Sequence, residues 1–220
     1  METSQSEIEV ALVEDQPPLL KNLVKLLSAF PELHVQATYA TGEEAARGLV
    51  ERPPEVVLLD LELPGMDGIG VIREVKPKRP EIAILVLTTF DDEAKVYEAV
   101  TAGASGYLVK RVAIERIVAA IREVREGGCV IESAIGRRFW NYFQSLGRPA
   151  AAVDPFGLSS AERQVLQFVA KGLSNAEVGR ALQIERRTVR THLLHIYEKM
   201  GVHSHVEAVV KALQAGLVEP

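Results

Sequence analysis

Four short apolar runs end in side chains able to hold a metal ion or a phosphoryl group. Glu14-Asp15 follows Ile8 to Val13, Asp60 follows Val56 to Leu59, Thr88-Thr89 follows Ile82 to Leu87, and Lys110 follows Gly106 to Val109. Three carboxylates gathered in one crevice repel one another, which raises their proton affinity unless a cation joins them. A hard divalent ion with oxygen ligands, most naturally Mg²⁺, relieves that repulsion and keeps water positions free. A carboxylate beside such an ion is placed to attack phosphorus and form an acyl phosphate. Lys110 could then pair with one phosphoryl oxygen, and the Thr88 hydroxyl could bond another. Each residue also has an ordinary explanation: a solvated loop start for Glu14-Asp15, a helix cap for Asp60 or Thr88, a surface lysine for Lys110. Their joint placement at strand ends favours the chemical reading.

The elements that must bring them together are legible from periodicity. Ile8 to Val13, Leu33 to Tyr39, Val56 to Leu59, Ile82 to Leu87 and Gly106 to Val109 read as strands. Between them lie helical spacings such as Leu19/Leu20/Leu23/Val24/Leu27 and Ala45/Ala46/Leu49/Val50, and Ile114/Ile117/Val118/Ile121 closes the series. Strands this continuously apolar, alternating with helices, predict a parallel sheet covered on both faces. Function in such a sheet collects beyond the carboxyl ends of the strands, where the four acidic, hydroxyl and basic groups fall. Gly127-Gly128 end the last repeat, Ile135 to Leu146 read as a short helix, and Gly147 to Pro155 as a linker.

From Leu158 onward the pattern is helical. Ser159-Ser160-Ala161-Glu162 and Ser174-Asn175-Ala176-Glu177 both read as capping boxes. A third helix from about Arg186 to Met200 carries the inner stripe Val189, Leu193, Ile196, Tyr197 and Met200, and Gly201 closes it. A short helix, a tight turn near Gln183-Ile184 and a longer helix is helix-turn-helix geometry. Arg187, Arg190, Thr191, Leu194 and His195 lie opposite the stripe and are the candidate DNA contacts, for phosphates, base edges and a thymine methyl.

Bulk properties agree. The 220 residues suit two small domains, with 47% hydrophobic and 25% charged residues. The net charge of −5 hides an asymmetry: residues 1–130 hold 14 Lys/Arg against 22 Asp/Glu, and residues 131–220 hold 11 against 8. A polyanion would meet the second part. A single cysteine excludes an intramolecular disulfide framework, and no basic leader or membrane-length apolar run is visible, so a cytoplasmic protein with no membrane partner is expected.

Leu59-Asp60-Leu61-Glu62-Leu63-Pro64-Gly65-Met66-Asp67-Gly68, with Val13-Glu14-Asp15, Val86-Leu87-Thr88-Thr89 and Gly103 to Lys110, resembles the receiver domain of bacterial response regulators. Leu158-Ser159, Glu162-Arg163, Gly172-Leu173-Ser174-Asn175, Thr188-Val189-Arg190-Thr191-His192 and Lys199-Met200-Gly201 resemble the LuxR-type DNA-binding domain. Together they resemble the NarL/FixJ family. The resemblance implies a flavodoxin-like (βα)5 receiver over residues 6–128, a connecting helix and linker over 129–155, and a small all-α helix-turn-helix domain over 156–220. It implies Asp60 as acceptor from a sensor histidine kinase, with Mg²⁺ held by Glu14, Asp15, Asp60 and the backbone carbonyl of Glu62. Thr88 and Lys110 would bind the phosphoryl group, and Thr88 with Tyr107 would form a switch in which the ring turns inward. Base contacts would come from Arg190 and Thr191, with position 194, and phosphate contacts from Arg187. The helix from Ser204 to Ala215 would form a homodimer on double-stranded DNA.

Three positions depart from the pattern: Arg111 where an acid often follows the lysine, Glu185 where a serine usually caps the recognition helix, and Leu194 at an often polar site. Two other readings compete. A regulator that ignores phosphorylation and uses the receiver only to dimerise would not need a complete pocket. A haloacid-dehalogenase-like phosphatase would carry a second aspartate two residues after the first, where Glu62 stands. The chain is therefore expected to be a regulator and not an enzyme.

Overall fold

The computed structural model describes residues 7–89, 93–131 and 154–218. The first part alternates β1 (Ile8–Val13), α1 (Pro17–Leu27), β2 (Leu33–Tyr39), α2 (Gly42–Glu51), β3 (Val56–Leu59) and α3 (Gly68–Val75). It continues through β4 (Ala83–Thr88), α4 (Glu93–Thr101), β5 (Gly106–Val109), α5 (Ile114–Arg125) and β6 (Val130–Ile131). All paired strands are parallel, in the order β2-β1-β3-β4-β5-β6.

Alternation along the strands builds two cores. Ala11, Val13, Val57 and Leu59 point to one face, where Leu49, Ile72, Val75, Val96 and Val100 of α2, α3 and α4 cover them. Val10, Leu12, Val56 and Leu58 point to the other, against Leu23 and Leu27 of α1 and Ile117, Ile121 and Val124 of α5. Local signals fix the helix ends. Pro17 opens α1, where an N–H would have no partner, and the Asp67 side chain caps α3 by accepting from the Gly70 amide at 2.7 Å.

The sheet differs from the sequence reading in two places. β6 pairs with β5 through Gly106–Val130 and Tyr107–Ile131, so the sheet continues beyond Gly127-Gly128. β4 is shifted by one residue, which brings Thr88 into the strand. The helix expected over Ile135 to Leu146 and most of the expected linker lie outside the described residues.

The second part contains α6 (Ser160–Ala170), α7 (Asn175–Leu182), α8 (Arg186–Met200) and α9 (His205–Gln214). Both expected capping boxes form, Ser159 with Glu162 and Ser174 with Glu177. The turn between α7 and α8 puts Gln183 at φ 56°. It passes so close to Gly179 that a Cβ there would meet the Ile184 carbonyl oxygen at 2.8 Å, which explains the glycine. Glu185 caps α8 without a side-chain hydrogen bond, and Gly201 ends it in the left-handed conformation. Among the described residues no helix is long and apolar enough to cross a membrane.

Candidate functional site

The strand order reverses direction at β1, and the crevice beyond β1 and β3 is where the acidic groups meet. One carboxylate oxygen from each of Glu14, Asp15 and Asp60 lies within 4.8 Å of the others. Glu14 and Asp60 are buried, Asp15 is exposed, and Asp60 is held by its own amide donating to the Val13 carbonyl at 3.0 Å. Lys110 reaches between the two buried acids, its Nζ 2.6 Å from Glu14 Oε2 and 2.7 Å from Asp60 Oδ2. Burial pushes the Glu14 carboxyl above its ordinary range, and the Asp60 charge adds to this, while Lys110 pulls it back only in part. Burial disfavours the Lys110 charge, but hydrogen bonds to Asp60 and Glu14 outweigh it and its pKa is raised.

The other oxygen of Asp60, Oδ1, is buried without a hydrogen-bond partner. An orphaned carboxylate oxygen among two further acids, with one ammonium against three carboxylates, is a donor set that fits a hard divalent cation. Glu62 turns its carboxylate away, accepting from the Thr89 hydroxyl at 3.0 Å, so only its backbone is left for the ligand role expected of it. Thr88 is fully buried at the end of β4, on the same side of the sheet ends as Asp60 and Lys110. Tyr107 is also fully buried, within the core that includes α4.

In the second domain Arg187, Arg190, Thr191, Leu194 and His195 are all exposed on α8, opposite the buried Val189, Leu193, Ile196 and Met200. Leu194 is 56% exposed. The Thr191 hydroxyl donates back to the Arg187 carbonyl at 3.1 Å. Glu162 of α6 ties this helix down: its carboxylate accepts from Lys199 at 2.7 Å and closes the Ser159 box.

Periodicity gave no hint of the seam between the domains. Asn175 Nδ2 donates to the Glu126 carbonyl at 3.0 Å, Arg186 pairs with the Glu126 carboxylate at 3.1 Å, and Gln214 donates to the Tyr97 hydroxyl at 3.0 Å. Val206 and Val210 of α9 join the receiver-side core around α4. A cavity of about 470 Å³ lies along this seam, with Arg190, Leu194 and Tyr197 of α8 on one wall and Ile82, Val124 and Arg125 on the other.

Residues 10–122 match the response regulator receiver domain, and residues 157–212 match the luxR family of bacterial regulatory proteins. The transcriptional regulatory protein LiaR of Bacillus subtilis (strain 168) is 33% identical over 211 residues, covering 96% of this chain and 99% of LiaR. The oxygen regulatory protein NreC of Staphylococcus aureus (strain JH9) is 32% identical over 216 residues, covering 96% and 100%. The chain belongs to the NarL/FixJ family of response regulators. Among solved structures, the response regulator ChrA of a heme-sensing two-component system is 32% identical, covers 96% of this chain and 99% of its own, and superposes with a TM-score of 0.51. A LuxR-family response regulator from Aurantimonas sp. SI85-9A1 covers 62% of this chain and 98% of its own, at 30% identity and a TM-score of 0.59. As a NarL/FixJ response regulator, the chain joins a receiver of parallel α/β architecture to a helical DNA-binding domain.

Proposed function

We propose that this response regulator is a transcription factor switched by phosphorylation of Asp60, over domains at residues 6–128 and 156–220 joined by 129–155. The observation that carries the reading is Asp60 itself: buried, hydrogen-bonded by Lys110 through Oδ2, and bare at Oδ1 beside two more acids. A carboxylate oxygen of Asp60 attacks the phosphorus of a phosphohistidine on a sensor kinase. The P–O bond of an acyl phosphate forms, the P–N bond breaks, and the imidazole leaves with the electron pair. Glu14, Asp15, Asp60 and the Glu62 carbonyl would hold Mg²⁺, which supplies charge to offset the phosphoryl oxygens. Lys110 changes partner from the two carboxylates to a phosphoryl oxygen, and the Thr88 hydroxyl donates to another.

The output is release of α8. In the closed arrangement Arg186 is paired with Glu126, and Arg190 and Leu194 face the receiver across the cavity, so the receiver stands in the way of a duplex approaching the exposed face of α8. The change falls on Thr88 and Tyr107 and passes to α4, which packs in the same core as Tyr107 and whose Tyr97 holds Gln214 of α9. Weakening that contact shifts the population toward an open form in which α9 pairs with a second copy and α8 enters the major groove. Arg190, Thr191 and Leu194 would read bases, and Arg187 and His195 would lie against the backbone, in a cytoplasmic protein with no catalytic turnover of its own.

The test compares mass by light scattering and the DNA footprint with and without acetyl phosphate and Mg²⁺. The expected result is dimerisation and tighter binding that require both reagents and vanish in Asp60→Asn. Equal dimerisation and binding by Asp60→Asn under phosphorylating conditions refutes the reading.

A further inference from the structure

The DNA-binding domain meets one turn of the receiver, the Glu126-Gly127-Gly128 corner after α5, through Arg186 on the Glu126 carboxylate and through two residues that open helices. Asn175, the first residue of α7, donates to the Glu126 carbonyl. His205, the first residue of α9, lines the seam cavity together with Gly127 and Gly128. The His205 ring is 9% exposed, and its Nδ1 is buried without a partner. Neutral imidazole tolerates this, because Nδ1 can stay a bare lone pair. Imidazolium does not, because both nitrogens become donors and Nδ1 has nothing to donate to. The positive end of the α9 dipole adds to the penalty.

We propose that this seam is a proton-operated latch: a second proton on the His205 ring opens it and frees α8 without phosphorylation. The latch goes beyond the Asp60 switch and works beside it. Burial holds His205 down to about 4 in the closed form, with the Gly127 backbone opposing, whereas an exposed histidine titrates near 6.5. The group is depressed in the closed state, so closure is fully supported above pH about 6.5 and loses support as pH falls toward 4. Between pH 7.5 and 5.5 the opening constant rises roughly tenfold from this group alone.

Other charged groups surround the latch. His203, on the same segment, is lowered by burial and then by Lys76, and acts in the same direction. Glu207, on α9, is raised by burial, so it favours closure on acidification and opposes His205. Lys76, at the end of α3, donates to the Pro80 and Ile82 carbonyls and is lowered to about 8 by burial, outside this window. Glu81 before β4, Arg125 of α5, and Arg190 and Glu198 of α8 line the same cavity, and Glu126 is paired with Arg186. None of these contributes to the His205 shift, which is due to burial and the Gly127 backbone.

The experiment uses the full chain as Asp60→Asn, so that no acyl phosphate can form. Small-angle scattering gives the open fraction, and amide exchange at Gly127-Gly128, corrected for the intrinsic pH dependence, gives the opening constant, both from pH 7.5 to 5.5. The expected result is opening that rises on acidification by about tenfold more than in the same chain with His205→Gln added. Should that variant be open at every pH, Glu207→Gln decides: removing the opposing group makes the acid opening steeper. An unchanged pH profile in a closed His205→Gln variant, no opening in Asp60→Asn at pH 5.5, or an unsteepened Glu207→Gln curve overturns the latch.

Discussion

Replacing Lys110 with Met tests the electrostatics of the Glu14–Asp60 crevice. The ammonium lies 2.6 Å from Glu14 and 2.7 Å from Asp60, and the three side chains are only 8%, 3% and 2% exposed. Removing the cation leaves two buried carboxylates uncompensated, and breaking a buried pair in this way costs about 3–5 kcal/mol. The loss at neutral pH is expected toward the lower figure, because Glu14 is already raised by burial and can take up a proton. Mg²⁺ should then do for Lys110→Met what the lysine does in the native protein. An ion at a hundred times its Kd adds about 2.7 kcal/mol, so millimolar Mg²⁺ should recover most of the deficit. In the native chain the gain should be smaller, since the ammonium already offsets part of the carboxylate charge. Urea unfolding followed by far-UV circular dichroism, with EDTA or with about 10 mM Mg²⁺, measures each quantity. A loss under about 1 kcal/mol in EDTA, or equal Mg²⁺ stabilisation of both proteins, would falsify the account of Asp60 and Glu14 as a charge-starved pair.

Three further outcomes follow from other parts of the molecule. Burial disfavours the Glu162 charge, but Lys199 and the Ser159 cap hold its carboxyl down at about 2. A depressed acid stabilises above its unfolded pKa, so acid unfolding of the helical domain should lose about 2 kcal/mol between pH 4.5 and 2, after discounting for the partly exposed Lys199. Glu162→Gln should flatten that dependence. At Gly68 an added Cβ would run into the Asp60 carbonyl and lie 2.8 Å from Leu61 Cα; Gly68→Val should therefore slow acetyl-phosphate labelling at least tenfold while α3 still forms, measured by Phos-tag gel and circular dichroism. Val210→Lys places a charge in the core between α9 and α4, and the unphosphorylated protein should bind DNA more tightly, read by fluorescence anisotropy; unchanged affinity argues against a closed seam.

The receiver was legible because its strands are buried on both faces and read as unbroken apolar runs, so the residues that interrupt them stand out. Glu14, Asp60 and Lys110 announce themselves in this way, and the fold only had to bring three strand ends together. β6 was missed because two residues after a Gly-Gly corner carry no period. The seam was missed for a different reason. Asn175 sits inside the segment that the Ser174–Glu177 capping box already explains, His205 sits in an ordinary first turn, and Glu126 is a helix end. Each is explained by its own neighbourhood, and nothing in the chain marks that they meet.

What makes the seam suitable for control is that its contributions nearly cancel. Val206 and Val210 are buried against the receiver, each worth about 1.5–3 kcal/mol. Against them stand the bare Asn175 Oδ1 and His205 Nδ1, each costing about 1–3 kcal/mol when sealed without a donor. The Arg186–Glu126 pair, exposed on both sides, adds little. A closed state held by so small a difference need not be broken by a large force. A phosphoryl group at Asp60 that displaces α4 by enough to lose the Tyr97–Gln214 hydrogen bond removes about 1 kcal/mol, and one proton on His205 shifts the balance by a similar amount at pH 5.5. Because both inputs act on the same opening equilibrium, their effects multiply: a weakly phosphorylated chain in acid should open as far as a fully phosphorylated one at neutral pH.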